Sequence, residues 1–207
     1  MKTSLKAFLL FVGISFVLSG CQTALKSSQK SGEGNFRARA LIKDKKKAKS
    51  FIVNLNFNIK QEKVIRLDVT SPLNQHLASF LITPKELSYY LVRDKIYYKG
   101  KVTARPFSQF MAVPMEPWWL ENLLFRKAFT QKDWSCTEDK KGELASCMNL
   151  REKINVTWEM DENRKLVVNL NHPKGEVQMN FHHIQPKVED GAELSQLKIP
   201  QGFRRAR

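Results

Sequence analysis

From Phe36 onward, apolar and polar residues alternate one for one along most of the chain. Phe51, Val53, Leu55, Phe57 and Ile59 alternate with Asn54, Asn56, Asn58 and Lys60, and Ile65, Leu67 and Val69 alternate with Arg66, Asp68 and Thr70. Further on, Ile154, Val156, Trp158 and Met160 repeat the pattern, as do Leu166, Val168 and Leu170, then Val177, Met179 and Phe181. A period of two places successive side chains on opposite faces, so these are antiparallel strands with one apolar and one wet face. Shorter runs over 36–42, 77–82, 87–92 and 96–99, together with the hairpin that carries Cys136 and Cys147, bring the expectation to about ten or eleven strands. Links as short as Asp161-Glu162-Asn163 and Pro173-Lys174-Gly175 make most of them neighbours in an up-and-down meander.

The period changes between Thr103 and Lys127. Residues 105–111 and 117–125 read as two short helices, with Pro117 at a tolerated first-turn position. The second, Pro-Trp-Trp-Leu-Glu-Asn-Leu-Leu-Phe, is apolar around most of its circumference and must be covered on more than one side. One-faced strands and an all-round apolar helix share an economical solution. It is a mainly β fold, a curved and partly closed antiparallel sheet with the helices lying in its mouth.

The N-terminus adds a compartment. Lys2 and Lys6 precede a twelve-residue, mostly apolar run, Ala7 to Leu18, too short for a spanning helix of about 20 residues. That is the pattern of a secretory signal. Leu18-Ser19-Gly20-Cys21 resembles a bacterial lipobox, which implies cleavage after residue 20 and acylation of Cys21. Gln22 is not the aspartate associated with inner-membrane retention, so the resemblance favours the outer membrane. Residues 21–34 carry the acylated cysteine on a small, polar tether, whose thirteen residues after Cys21 span about 20 Å r.m.s.. The domain proper is expected over 35–207.

The remaining cysteines fit an oxidising envelope. Cys136 and Cys147 flank Glu138-Asp139-Lys140-Lys141-Gly142-Glu143, a turn with Gly142 at its left-handed position. A hairpin there sets the two cysteines opposite each other, and a disulfide closing so small a loop contributes about 3 kcal/mol in the chain-entropy model.

Charge and chemistry change the picture less. The chain carries 35 Lys and Arg against 20 Asp and Glu, a formal charge of +15, which by itself suggests nucleic acid. Export removes most of that reading, and loss of Lys2 and Lys6 takes the charge to +13. Lys43 to Lys49 forms a basic turn and the chain ends Arg-Arg-Ala-Arg, a solvated turn with a frayed tail or a contact for anionic headgroups. There is no G-x-S-x-G, no phosphate-cradling glycine loop, no H-E-x-x-H and no C-x-x-C. His182 and His183, adjacent on a strand, point to opposite faces and are poorly placed to share a metal. The residues therefore suggest neither an enzyme nor a cofactor.

One stretch resembles a known family. Ile65-Arg66-Leu67-Asp68-Val69-Thr70-Ser71-Pro72-Leu73-Asn74-Gln75, with the strand pair that follows it, resembles the LolB-type outer-membrane lipoprotein receptors of the LolA/LolB superfamily. Tyr97-Tyr98-Lys99-Gly100 and the helical stretch after it add to the likeness, although Asn74 stands where the family usually carries glycine. The resemblance implies an incomplete antiparallel barrel around an apolar cavity under a helical lid. It further implies a monomer that takes acylated lipoproteins from the periplasmic carrier LolA and releases them into the outer membrane. Leu73 would then be the membrane-inserting loop residue. Phe57, Leu67, Phe80, Tyr89, Leu91, Phe107, Phe110, Trp119, Leu123 and Trp158 are the candidate lipid-binding residues. The alternative is an envelope lipoprotein of the same fold that binds or carries another lipid, or serves envelope assembly.

Overall fold

The computed structural model describes residues 32–60, 64–103, 110–185 and 196–206. Cys21, Phe107, the signal segment, nearly all of the tether and most of the first expected helix lie outside them. Gly32–Arg207 forms one compact unit. In chain order its elements are β1 (Gly34–Asp44), β2 (Lys49–Lys60), β3 (Val64–Thr70), β4 (His76–Ile82), β5 (Leu87–Leu91) and β6 (Ile96–Gly100). There follow α1 (Trp119–Phe125), β7 (Trp134–Glu138), β8 (Leu144–Asn149), β9 (Ile154–Met160), β10 (Leu166–His172), β11 (Gly175–Gln185) and β12 (Arg204–Arg205).

All the described strands belong to one 12-stranded sheet in the order β12-β6-β5-β4-β3-β2-β1-β11-β10-β9-β8-β7. Every pairing is antiparallel except β12 on β6. The sheet does not close, because β12 and β7 end it as unjoined edges. The expected meander is thus two meanders, β1–β6 and β7–β11, sewn together where β1 pairs with β11 over 35–44 and 175–185. The chain leaves β6 and reaches the far edge of the sheet by way of α1. It is this crossing that carries a helix over the apolar face.

The alternation behaves as its period requires. Phe36, Ala38, Ala40 and Ile42 of β1, Val53, Leu55, Phe57 and Ile59 of β2, and Val177, Met179 and Phe181 of β11 are buried on one face. Their neighbours Asn54, Asn56 and Asn58 stay half-exposed on the other. Each large side chain removed from water contributes about 1.5–3 kcal/mol, which fixes the register, since a one-residue slip would turn the whole set outward. At the β7 edge, Cys136 lies directly opposite Cys147 and the two form a disulfide. Gly142 adopts φ 74 in the turn between them, a conformation that glycine enters without a steric cost.

The C-terminus departs from the expected frayed tail. Arg204 donates its N–H to the Lys95 carbonyl at 3.0 Å and Ala206 donates to Tyr97 at 2.6 Å, making a short parallel strand. Upstream, the Gln196 carbonyl accepts from Arg66 at 3.3 Å, and Phe203 meets Tyr90 edge-on at 5.6 Å. Arg66 and Tyr90 lie on the outer face of β3 and β5, so residues 196–203 cross that face. On that same face, which the alternation marks as wet, Ser79, Leu81 and Ser88 are buried.

Candidate functional site

The concave face is lined by the inward residues of the strands, and the segment from Phe110 to Phe129 closes it. Met111, Val113 and Met115 are buried in turn along the approach to the helix, and Trp119, Leu120, Leu123, Leu124 and Phe125 are buried within it. Helix α1 begins two residues later than expected, with Pro117 in the preceding turn, where its carbonyl accepts from Leu120 N–H at 3.3 Å.

The candidate lipid-binding residues that are described share this interior. Phe57, Leu67, Phe80, Tyr89, Trp119, Leu123 and Trp158 are buried, while Leu91 and Phe110 are partly buried and pack against the same cluster. Phe80 sits 5.2 Å from Phe110 and 5.4 Å from Tyr89, and Tyr89 stacks on Tyr98 at 5.5 Å. Burial pushes the Tyr89 hydroxyl pKa above its ordinary value, and Tyr98 adds to the shift. On the other side of the face, Trp119 meets Trp134 edge-on at 5.1 Å, Phe129 stacks on Trp134 at 4.0 Å, and Phe36 meets Phe125 edge-on at 5.1 Å. These described side chains pack into one buried cluster between sheet and cover. Among the described residues the buried Trp119 indole N–H has no partner, a polar group in an apolar setting.

Leu73 lies elsewhere, at the tip of the loop between β3 and β4, and is 83% exposed. The loop is tied rather than loose. Ser71 Oγ accepts the amides of Leu73 at 3.2 Å and Gln75 at 3.1 Å, and the Ser71 carbonyl accepts from Asn74 at 2.9 Å and from the Asn54 side chain at 3.2 Å. Asn74 takes φ 61, a left-handed conformation that asparagine tolerates better than most residues, so it can replace glycine at this position. The loop therefore holds a leucine in solvent at a cost of about 1.5–3 kcal/mol relative to burial.

The outer face holds different chemistry. A groove of about 290 Å³ is lined mainly by polar side chains, among them Lys43, Thr157, Glu159, Asn169 and Glu176. Nothing there suits a hydrocarbon chain. Ser79 Oγ bonds to Asp68 and lies 3.0 Å from His76 Nε2, which gathers the residue types of a hydrolytic triad. The order is wrong for one, because the serine sits between the acid and the histidine instead of the histidine between the other two, and Ser79 is fully buried. Among the described residues, no helix is long and apolar enough to cross a membrane.

An open antiparallel sheet curled around a covering helix is the class that fold and site define. No family model and no curated protein matches the chain. Among solved structures, one similar chain is a domain assigned to outer-membrane lipoprotein sorting in Vibrio parahaemolyticus, with TM-score 0.42 and 9% identity, covering 74% of this chain and 85% of that one. Another is a DUF1329 family protein from Desulfovibrio piger, with TM-score 0.48 and 9% identity, covering 82% and 91%. At such scores neither likeness carries an assignment of activity.

Proposed function

We propose that the protein is an outer-membrane lipoprotein, anchored through Cys21, that accepts acylated lipoproteins from a LolA-type periplasmic carrier and delivers them to the outer membrane. The observation behind this reading is the construction of the interior. Among the described residues, the apolar sheet face is covered by the short helix α1 and the segment leading into it instead of by a second sheet, so a helical cover separates the face from an acyl chain. Carrying a sixteen-carbon chain through water costs about 12 kcal/mol, and displacement of 110–125 would offer that chain the surface the helix now occupies. Leu73, held in solvent by its tied loop, supplies the point of contact with the bilayer. Transfer from carrier to receptor runs downhill in affinity and needs no catalytic group.

The test is transfer of a lipoprotein from loaded LolA-type carrier to the compact unit Gly32–Arg207, followed by release to vesicles. Uptake is expected, and Leu73→Glu should leave uptake unchanged while reducing release roughly thirtyfold, the equivalent of about 2 kcal/mol of lost burial. No uptake where an authentic receptor succeeds would overturn the proposal. Capture of free phospholipid by that same unit would then point to an envelope protein that carries another lipid.

A further inference from the structure

In a meander, alternate connections fall at the same end of the sheet. Here one end gathers the β5–β6 turn, the Leu73 loop, the β1–β2 turn, the β10–β11 turn and the β8–β9 loop. At about 4.8 Å per strand, the distance along the sheet from the Leu73 loop to the β8–β9 loop is roughly 29 Å. The opposite end gathers the β4–β5, β7–β8 and β9–β10 turns.

The two ends differ in composition. The two most exposed large apolar residues among those described are Leu73 at 83% and Leu150 at 74%, both on connections of the first end. Phe51, Ile52, Val92 and Met148 are also exposed towards that end, against Met160 and Ile184 towards the other. Charge follows the same division. Lys46, Lys49, Arg93, Lys95, Lys153 and Lys174 are exposed on the first end, and none has an ion-pair partner among the described residues. Lys45, Lys47 and Arg151 stand beside them in ion pairs with Glu176, Asp44 and Asp133, and Glu152 and Asp94 complete the acids. On the described turns of the opposite end, Lys85, Lys140, Lys141, Arg164 and Lys165 are balanced by Glu86, Asp139, Glu143, Asp161 and Glu162.

We infer that the first end is a docking rim for an anionic bilayer surface, with Leu73 and Leu150 as two separated apolar contacts and the five lysines and Arg93 between and around them meeting lipid phosphates. Basic residues alone would mark any polyanion. Apolar tips placed among them, on a rim that faces one way, suit an interface with headgroups above and hydrocarbon beneath. Two contacts at a distance also fix orientation, which one leucine cannot do. The Leu73 part of the rim rests on the delivery reading above; Leu150 and the charge asymmetry stand on their own.

The experiment is flotation of Gly32–Arg207, which lacks the lipid anchor, with neutral phosphatidylcholine vesicles and with vesicles containing about one quarter phosphatidylglycerol. Binding to the anionic vesicles is expected. It should fall as salt rises from about 0.1 M to about 1 M, which shortens the screening length from about 10 Å to about 3 Å. Neutralising Lys46, Lys49, Arg93 and Lys95 to Gln should weaken binding by more than about a hundredfold, at about fivefold per charge. The variant Lys140→Gln/Lys141→Gln/Lys165→Gln, on the other end, should bind like the parent. Leu150→Asp should weaken binding at low salt and abolish what remains at high salt. Because all these side chains are exposed, unchanged melting curves confirm the fold. Equal binding to neutral and anionic vesicles, or equal loss from the two sets of lysine variants, overturns the rim. A unit that binds anionic vesicles yet takes nothing from the carrier keeps the rim and loses the transfer function; a unit that takes cargo yet ignores lipid charge does the reverse.

Discussion

The two ends of the helical cover are fastened by different means. At the C-terminal end of α1, the Trp158 indole N–H donates to the Leu123 carbonyl at 2.9 Å, and Arg126 reaches Glu143 at 2.7 Å and the Leu144 carbonyl at 2.6 Å. Asn122 donates to the Ala128 carbonyl at 2.9 Å, and Lys127 pairs with Glu121 at 2.7 Å while lying over the Phe125 ring. At the other end, Trp118 caps the helix without any side-chain hydrogen bond. The approach to it is seated by burial of Met111, Val113 and Met115 and by close contact at Gly175. Polar bonds are directional and lose most when geometry changes, whereas apolar burial yields more gradually and can be exchanged for another apolar surface. On the described contacts the pivot falls on the C-terminal side, and residues 110–117 are the side whose apolar burial another apolar surface could replace.

The largest effect should come from disturbing the apolar seat. A Cβ at Gly175 would stand 2.5 Å from the Ala112 carbonyl oxygen and 2.8 Å from that of Lys43, both backbone atoms that cannot swing aside. Gly175→Ala should cost about 3 kcal/mol of stability by overpacking. Amide exchange should rise over 111–117 while 122–128 stays protected. Equal loss of protection at both ends would remove the distinction between them. Next in size is the pivot. Trp158→Phe deletes the donor to Leu123 and part of an aromatic side chain, and should cost about 2 kcal/mol. Denaturant unfolding gives that value. Exchange should now rise first over 122–128, the reverse of the Gly175 variant.

How much of this could be read beforehand depends on whether the information is local. Strands such as β2 and β11 were legible because burial on one face writes a period of two into the residues themselves. The cysteine hairpin was legible because Gly142 marks its turn. The helix at Trp119–Phe125 was located within two residues by its apolar circumference. The pairing of β1 with β11 was not, since alternation states that a strand has a buried face but not which strand lies beside it. Arg204 and Arg205 show no apolar pattern, so their strand was invisible, as was the passage of 196–203 over Arg66 and Tyr90. For the site, the alternation named the interior residues but not that they pack into one cluster with the cover. Leu73 was singled out through the family resemblance of its loop, and the structure shows it exposed at the loop tip. Leu150 was not, because only the strand order puts its loop at the same end of the sheet.

The smallest effect concerns Glu116, just ahead of the helix on the apolar side of the comparison. Its carboxyl is half-buried, and desolvation raises its pKa above the ordinary carboxylate value. A carboxyl with a raised pKa in the folded state binds its proton more tightly there than when unfolded. Stability is therefore lower when the group is ionised at neutral pH and is recovered as pH falls through the folded pKa towards the unfolded one. Partial exposure keeps the effect modest. Glu116→Gln supplies a neutral group of the same shape, so it should raise the melting temperature slightly at neutral pH. The advantage should shrink towards about pH 4, where the parent is protonated as well. Thermal melts of both proteins across that range decide the matter: a constant difference would mean that ionisation is not the cause. The direction bears on cargo too. On the proposed function, if the desolvation cost of ionised Glu116 is relieved when 110–117 is displaced, Glu116→Gln should slow acyl-chain uptake even as it stabilises the fold. A stabilised variant with faster uptake would place the moving end on the other side of the helix.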